Sequence, residues 1–464
     1  MSSSTLILNA NVVNEGEVRP LDILIEEDKI AQIGKDLSHL KAKTVIDALG
    51  LYLLPGIIDD QVHFREPGLT HKGSIQTESR AAVAGGITSY LEMPNVKPIT
   101  DSLSALEAKY QRASQKSLAN YGFYLGATHD NLETIKRLEP NDCCGVKVFM
   151  GSSTGNMLVD DPDILEGIFK HCPKLVVTHC EDSTLIGKLE QSFRAKYGEN
   201  VPMSQHPMIR SRQACLNSSS LAVSLAKKHG ANLHVLHLTT KDELALFTSG
   251  AIENKHITAE VCVHHLTFSQ KDYAELGTLI KCNPAIKDEA DRLALLDAVN
   301  NDTIDIIATD HAPHTWSEKQ GTYFNAPSGL PLVQHMLPQL LEFYHEGRFT
   351  LETIVNKTTH AVAKRYNIKD RGFIREGYFA DCVLVDLAAP WQATKDNTLY
   401  KCGWSSFEQK TFRSSIRQTW VNGHMAFNKG IFNDTVKGKR LSFGEIYRAA
   451  QGSSARKVTA DKLI

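Results

Sequence analysis

Short runs rich in apolar residues, separated by polar turns, fill the first fifty residues. Thr5–Val13, Leu21–Glu26, Lys29–Ile33 and Thr44–Ile46 each read as a short strand, with a turn at Glu27-Asp28. Strands this short cannot bury a face alone, so they must pair with a later part of the chain. From Gly56 the texture becomes strand, polar loop, helix, repeated. The expected strands are Gly56–His63, Ile87–Pro94, Tyr121–Ala127, Gly145–Met150, Leu175–Cys180, Leu233–Leu238, Ile257–Val263 and Ile304–Thr309. Helices are expected through Ala84, over Ser102–Gln115, Asn131–Leu138, Pro162–Lys170, Ser183–Lys196, Lys241–Thr248 and Gln270–Ala274, and from near Gly329. Eight strand–helix units in order predict an α/β fold, a (β/α)8 barrel of the TIM type. After a helix ending over Thr358–Tyr366, the strands Asp381–Asp386, Ser415–Val421 and His424–Phe427 return, the last two joined by the hairpin signal Asn422-Gly423. The expected organisation is a barrel over 55–366 and a small β-sandwich built from 1–54 and 367–445. A polar tail over 446–464 carries no structural signal.

Composition narrows the function. The 464 residues hold 51 basic and 53 acidic side chains, with no long run of either sign. That balance argues against nucleic acid or a membrane surface as the main partner. No stretch reaches the roughly 18 apolar residues of a membrane span, and Met1-Ser2-Ser3-Ser4-Thr5 lacks a basic leader, so the expected location is cytoplasmic. Nine scattered cysteines without a Cys-x-x-Cys pair read as reduced, mostly buried thiols.

A barrel of this kind builds its site at the C-terminal ends of its strands. The first strand runs from Leu51 into Asp59-Asp60-Gln61-Val62-His63-Phe64-Arg65, and strict alternation would turn Gln61, His63 and Arg65 to one side. Later strand ends bring Asn95, Lys147, His179, His237 and Asp310, the last followed by His311-Ala312-Pro313-His314. Singly, a buried histidine is more often a satisfied core residue than a ligand; five or six such groups on one rim argue for a site. Histidines with carboxylates suit a borderline divalent cation such as zinc. Lys147 is either the ion-pair partner of an inward acid such as Asp310 or a ligand after N-carboxylation by carbon dioxide, since a free ammonium cannot bind a metal. His264-His265 either face the substrate side or lie in a loop. Arg210 and Arg212 read as solvated charges on a long loop, and His71 and Lys72 as the start of the first helix.

These motifs together resemble the amidohydrolase superfamily and, within it, the dihydroorotases. The resemblance rests on Pro55-Gly56-Ile57-Ile58-Asp59 with His63-Phe64-Arg65-Glu66-Pro67-Gly68, on Lys147, on Thr178-His179-Cys180-Glu181 and on His234-Val235-Leu236-His237. It also rests on Ala308-Thr309-Asp310-His311-Ala312-Pro313-His314 and on the return segment Gly372–Asp386. It implies one metal held by His63, Lys147 and Asp310 and a second held by Lys147, His179 and His237. Arg65, Asn95 and His314 would bind a substrate carboxylate, and Asn283 a pyrimidine ring. The implied activity is the reversible hydrolysis of (S)-dihydroorotate to N-carbamoyl-L-aspartate in pyrimidine biosynthesis. A metal lowers the pKa of bound water to about 7, and Asp310 takes the proton of the resulting hydroxide and passes it to the leaving nitrogen. Relatives acting on hydantoins or allantoin share the metal ligands but usually lack the arginine. The family motif has histidine where this chain has Gln61, which leaves one zinc or two, or a catalytically silent scaffold, as alternatives. The expected partners are a small-molecule substrate and a second copy in a homodimer; a transcarbamoylase partner belongs only to the scaffold alternative.

Overall fold

Both ends of the chain meet in one sheet. In the computed structural model, which describes residues 3–151 and 157–446, Ser4–Asn14 pairs antiparallel with Glu17–Glu26 and parallel with Thr44–Asp47 and Tyr52–Pro55. Tyr52–Pro55 then pairs antiparallel with Cys382–Asp386, which continues through Ser415–Val421 and His424–Asn428 to Ile431–Phe432. The result is one continuous nine-stranded sheet, with a separate two-stranded ribbon of Trp391–Gln392 and Thr411–Phe412. The Asn422-Gly423 turn has φ of 51° and 73°, the left-handed pair that a two-residue hairpin needs. A Cβ on Gly423 would also stand 2.1 Å from the Glu27 carbonyl oxygen, so this turn locks the two ends of the chain together. Most of the 446–464 tail lies outside the described residues.

Between these ends the eight expected strands appear in chain order, with parallel pairing throughout. One arc holds Ile57–Val62, Ile87–Glu92 and Asn120–Phe123. The other runs from Leu125–Gly126 through Val146–Phe149, Val176–His179, Leu233–Val235 and Ile257–Cys262 to Ile306–Ala308. A parallel bridge between Val62 and His311 joins the first strand to the segment after the last. Helices such as Leu103–Lys116 and Met336–His345 bury apolar faces against the arcs, and their side chains share one core with those of the strands.

Three local expectations are corrected. The stretch read as a long loop around Arg210 and Arg212 contains the helices His206–Ile209 and Arg212–His229. The longer one is capped by the Ser211 hydroxyl on the Ala214 amide and closed by left-handed Gly230. The first helix begins at Ile75 behind the Ser74 cap, so His71 and Lys72 precede it. The helix expected near Gly329 starts at Met336. Among the described residues no helix is long and apolar enough to cross a membrane.

Candidate active site

The first barrel strand, Ile57–Val62, is buried along its whole length, and its register against Ile87–Glu92 shifts between Asp59 and Val62. That shift breaks the expected alternation. Gln61 lines the cavity with His63 and Arg65, while its neighbour Asp60 also points inward, toward His234 and Glu260. A cavity of about 240 Å³ opens at the strand ends. Its wall carries all nine sequence-predicted site residues: His63, Arg65, Asn95, Lys147, His179, His237, Asn283, Asp310 and His314. Three of them, Arg65, His237 and Asp310, hold positive φ (68°, 41° and 49°), where non-glycine residues are uncommon and tend to mark functional turns. Thr309 anchors one such turn by donating its hydroxyl to Asp59 Oδ2 at 2.6 Å.

Hydrogen bonds decide which nitrogen of each histidine is available. His63 Nδ1 donates to Asn95 Oδ1 (2.8 Å), which leaves Nε2 as the lone-pair nitrogen, 3.1 Å from Asp310 Oδ1. Two acceptors facing each other at that distance need a cation or a shared proton between them. Burial, more than the opposing pull of Asp310, holds the His63 imidazole below its usual pKa, so a cation is favoured over a proton. His179 Nε2 donates to Glu181 Oε2 (3.0 Å), which leaves Nδ1 turned toward His237 Nε2 at 2.9 Å. Burial keeps both of these rings neutral as well. Lys147 has its ammonium 4.8 Å from the Phe149 ring centre and makes no ion pair or hydrogen bond with the described residues, so the alternative of an Asp310 ion pair is not formed. Burial lowers the Lys147 amine to about 8, against a smaller opposing effect of Asp310. The donor set therefore fits a divalent cation: neutral imidazoles, a carboxylate, and an amine prepared to react with carbon dioxide. Where the family motif has a further imidazole, Gln61 offers an amide oxygen, which accepts from Cys262 Sγ at 3.7 Å.

The opposite wall is cationic. Arg65, 4 % exposed, donates Nε to the Pro313 carbonyl (3.1 Å) and lies 3.1 Å from His314 Nε2 through Nη2. No carboxylate among the described residues comes within 4.0 Å of its guanidinium. Burial draws Arg65 down to about 10. Lys72 donates to His314 Nδ1 (3.0 Å) and pairs with Glu318 (2.8 Å). An ammonium can only donate, so the His314 proton sits on Nε2, which bonds the Ser328 carbonyl at 3.0 Å. Asn283 Oδ1 accepts from Ser328 Oγ (3.0 Å), which turns its amide nitrogen away from that contact.

The sequence reading missed two contributors. Arg210 is no solvated charge: it is buried and ion-paired with Glu181, the residue that orients His179. Lys72 fixes the tautomer of His314. Arg212, half-buried, pairs with Asp288 and Asp291 and does not line the cavity. Of the loop histidines, His264 and His265 lie in the short helix Val263–Thr267, both buried, with His265 Nε2 on the Pro284 carbonyl at 3.1 Å. Only Glu181 stood beside a residue already singled out; the others come to the site through the fold.

Comparison with known proteins identifies the family. The family model described as the amidohydrolase family matches residues 52–426. A dihydroorotase from Methanosarcina mazei is 32 % identical over 413 residues, 87 % of this chain and 90 % of that protein. An allantoinase from Desulfitobacterium hafniense is also 32 % identical, over 451 residues, 95 % of this chain and 99 % of that protein. Among solved structures, the L-hydantoinase (dihydropyrimidinase) from Arthrobacter aurescens superposes with a TM-score of 0.89 at 25 % identity, covering 95 % of this chain and all of that one. By its matching family model and its relatives, the chain belongs to the amidohydrolase family and resembles its cyclic amidases.

Proposed function

We infer that the chain is a zinc-dependent cyclic amidase whose substrate carries a carboxylate, and that it interconverts (S)-dihydroorotate and N-carbamoyl-L-aspartate. The observation that carries this reading is Arg65: a buried guanidinium on the cavity wall with no carboxylate partner among the described residues. Beside it stands His314, whose Nε2–H is held by the Ser328 carbonyl, so the guanidinium's own N–H groups are what an incoming carboxylate would meet first. Hydantoin and allantoin carry no carboxylate to fill that place.

His63, His179, His237, Asp310 and an N-carboxylated Lys147 would hold one or two zinc ions. A cation in that set supplies a water of lowered pKa and polarises the scissile carbonyl. Arg65 and His314 bind the substrate carboxylate, and Asn283 holds the ring edge. Asn95 fixes His63 through Nδ1, so that its Nε2 faces inward. Asp310 accepts the proton of the attacking water and delivers it to the ring nitrogen as the acyl–nitrogen bond breaks. Glu181 keeps the His179 Nδ1 lone pair turned into the cavity. In the reverse direction Asp310 starts protonated and Arg65 holds the same carboxylate.

The test is a substrate panel on zinc-loaded protein: dihydroorotate, allantoin, hydantoin and dihydrouracil. Turnover of dihydroorotate at a kcat/KM at least tenfold above the others is expected. Preference for allantoin or hydantoin would move the chain to the other cyclic amidases. No turnover by fully loaded protein would identify the silent scaffold that Gln61 raises.

A further inference from the structure

Three residues before His63 and three before His237, toward the other ends of the same strands, lie Asp60 and His234. Glu260 stands beside them on Ile257–Cys262. All three are completely buried. Their ligand atoms lie within 4.8 Å of one another, and the mechanism above uses none of them.

The hydrogen bonds around His234 fix its state. Its Nδ1 lies 2.8 Å from Thr258 Oγ1, and that hydroxyl donates onward to the Leu233 carbonyl at 3.3 Å. The hydroxyl proton is thereby used, so Nδ1 carries a proton and Nε2 is the nitrogen turned into the cluster. Nε2 faces Asp60 Oδ2 at 3.3 Å and Glu260 Oε2 at 3.7 Å. Asp60 Oδ1, Asp60 Oδ2, Glu260 Oε2 and His234 Nε2 all lack a hydrogen-bond partner. Three buried carboxylate oxygens and an imidazole nitrogen thus converge without a hydrogen bond; against the pull of burial, Asp60 and Glu260 hold the His234 imidazole above its ordinary pKa, so a proton on Nε2 competes with a cation for this place.

Buried carboxylates without a counter-charge cost several kcal/mol each, so a positive species must occupy such a nest. The spacing favours an ion over a proton. A charge-assisted N–H···O bond would draw the atoms to about 2.7–2.9 Å. Ligands of a tetrahedral ion with bonds of about 2.0–2.2 Å stand about 3.3–3.6 Å apart. Two carboxylates and one neutral imidazole also balance a dication.

We propose that Asp60, His234 and Glu260 form a second, structural metal site for a borderline divalent cation such as zinc, inside the barrel and separate from the cavity. Glu260 Oε1 accepts the His237 amide at 3.1 Å, so the site braces the strand end that carries a cavity histidine. The Tyr124 hydroxyl donates to the Asp60 carbonyl (2.8 Å), and the Tyr366 ring stands edge-on to His234 at 6.0 Å. Because all three side chains are fully buried, the ion would enter as the chain folds and resist chelators afterwards.

The test is an anomalous difference map at the zinc edge, from crystals of the full chain expressed with zinc and dialysed against chelator. A peak bounded by Asp60, His234 and Glu260 is expected; density there without anomalous signal, or no density, overturns the site. Metal analysis gives an independent arm. After dialysis the His179→Asn/His237→Asn double variant should keep about one zinc per chain, and Asp60→Asn, checked for native circular dichroism, should lose that equivalent. Equal metal content in Asp60→Asn and the parent chain would refute the assignment. Neither readout depends on which cyclic amide the cavity hydrolyses.

Discussion

Arg210→Ala removes the counter-charge of Glu181, and its cost can be worked from the structure. Burial by itself would raise the Glu181 carboxyl, yet the charge of Arg210 and the His179 hydrogen bond outweigh it and hold the group at about 2, against an ordinary 4.5. A depressed carboxylate contributes stability that is present above pH 4.5 and is lost as pH falls toward 2. The difference, about 2.5 units at 1.36 kcal/mol per unit, amounts to roughly 3 kcal/mol. Stranding one member of a buried pair costs about 3–5 kcal/mol, which is the same size. Urea unfolding of metal-free protein at pH 7 should therefore show Arg210→Ala about 3 kcal/mol less stable than the parent chain. The gap should narrow as pH drops below 4.5, because protonated Glu181 no longer needs the guanidinium. The same variant should lose turnover, since His179 is oriented through Glu181. A loss below about 1 kcal/mol, or a gap that does not change with pH, would refute the reasoning.

Further outcomes follow from the cavity. Arg65→Met should lower kcat/KM for dihydroorotate about 10- to 100-fold, mainly through KM, the size of a lost hydrogen bond to a charged group; an unchanged KM in steady-state assays would contradict the carboxylate role. Asp310→Asn should cut kcat about 100- to 10,000-fold in the same assay at saturating substrate. Gln61→His adds an imidazole donor and should raise zinc affinity in competition with a chromogenic chelator; equal affinity would mean that position 61 does not reach the ion. With its amine at about 8, Lys147 is about 10 % neutral at pH 7 and more so as pH rises, so carbamate formation should increase from pH 6 to 8. Protein incubated with 13C-bicarbonate should show a carbamate carbon signal that Lys147→Met lacks.

What the sequence made legible was whatever is local and periodic. Strand ends follow from alternation, and residues at strand ends share a rim because parallel strands point the same way. His63, Arg65, Asn95, Lys147, His179, His237 and Asp310 were reachable by that rule, with His314 just beyond the last of them; Asn283 came only from the family resemblance. Asp60 was not reachable, because the register shift between Asp59 and Val62 sends two neighbours inward where strict alternation allows one. Arg210 was misread as a solvated charge and Lys72 as the start of a helix for another reason. Neither stretch shows its partner until the fold supplies it, here Glu181 from another strand end and His314 from 242 residues away. The helix Arg212–His229 did carry signals, in Ser211 at its start and Lys227-Lys228-His229-Gly230 at its end.

The sheet shared by both ends of the chain sets an order of events at the ribosome. Tyr52–Pro55 is made early, but its partner Cys382–Asp386 emerges more than three hundred residues later. Until then its outer edge presents unpaired amides and carbonyls to solvent, beside strands from other nascent copies. Synthesis at about 5–20 residues per second keeps that edge open for tens of seconds. A chain that stops before Cys382–Asp386 keeps it open for good, so early termination yields an aggregating fragment instead of a partly active barrel.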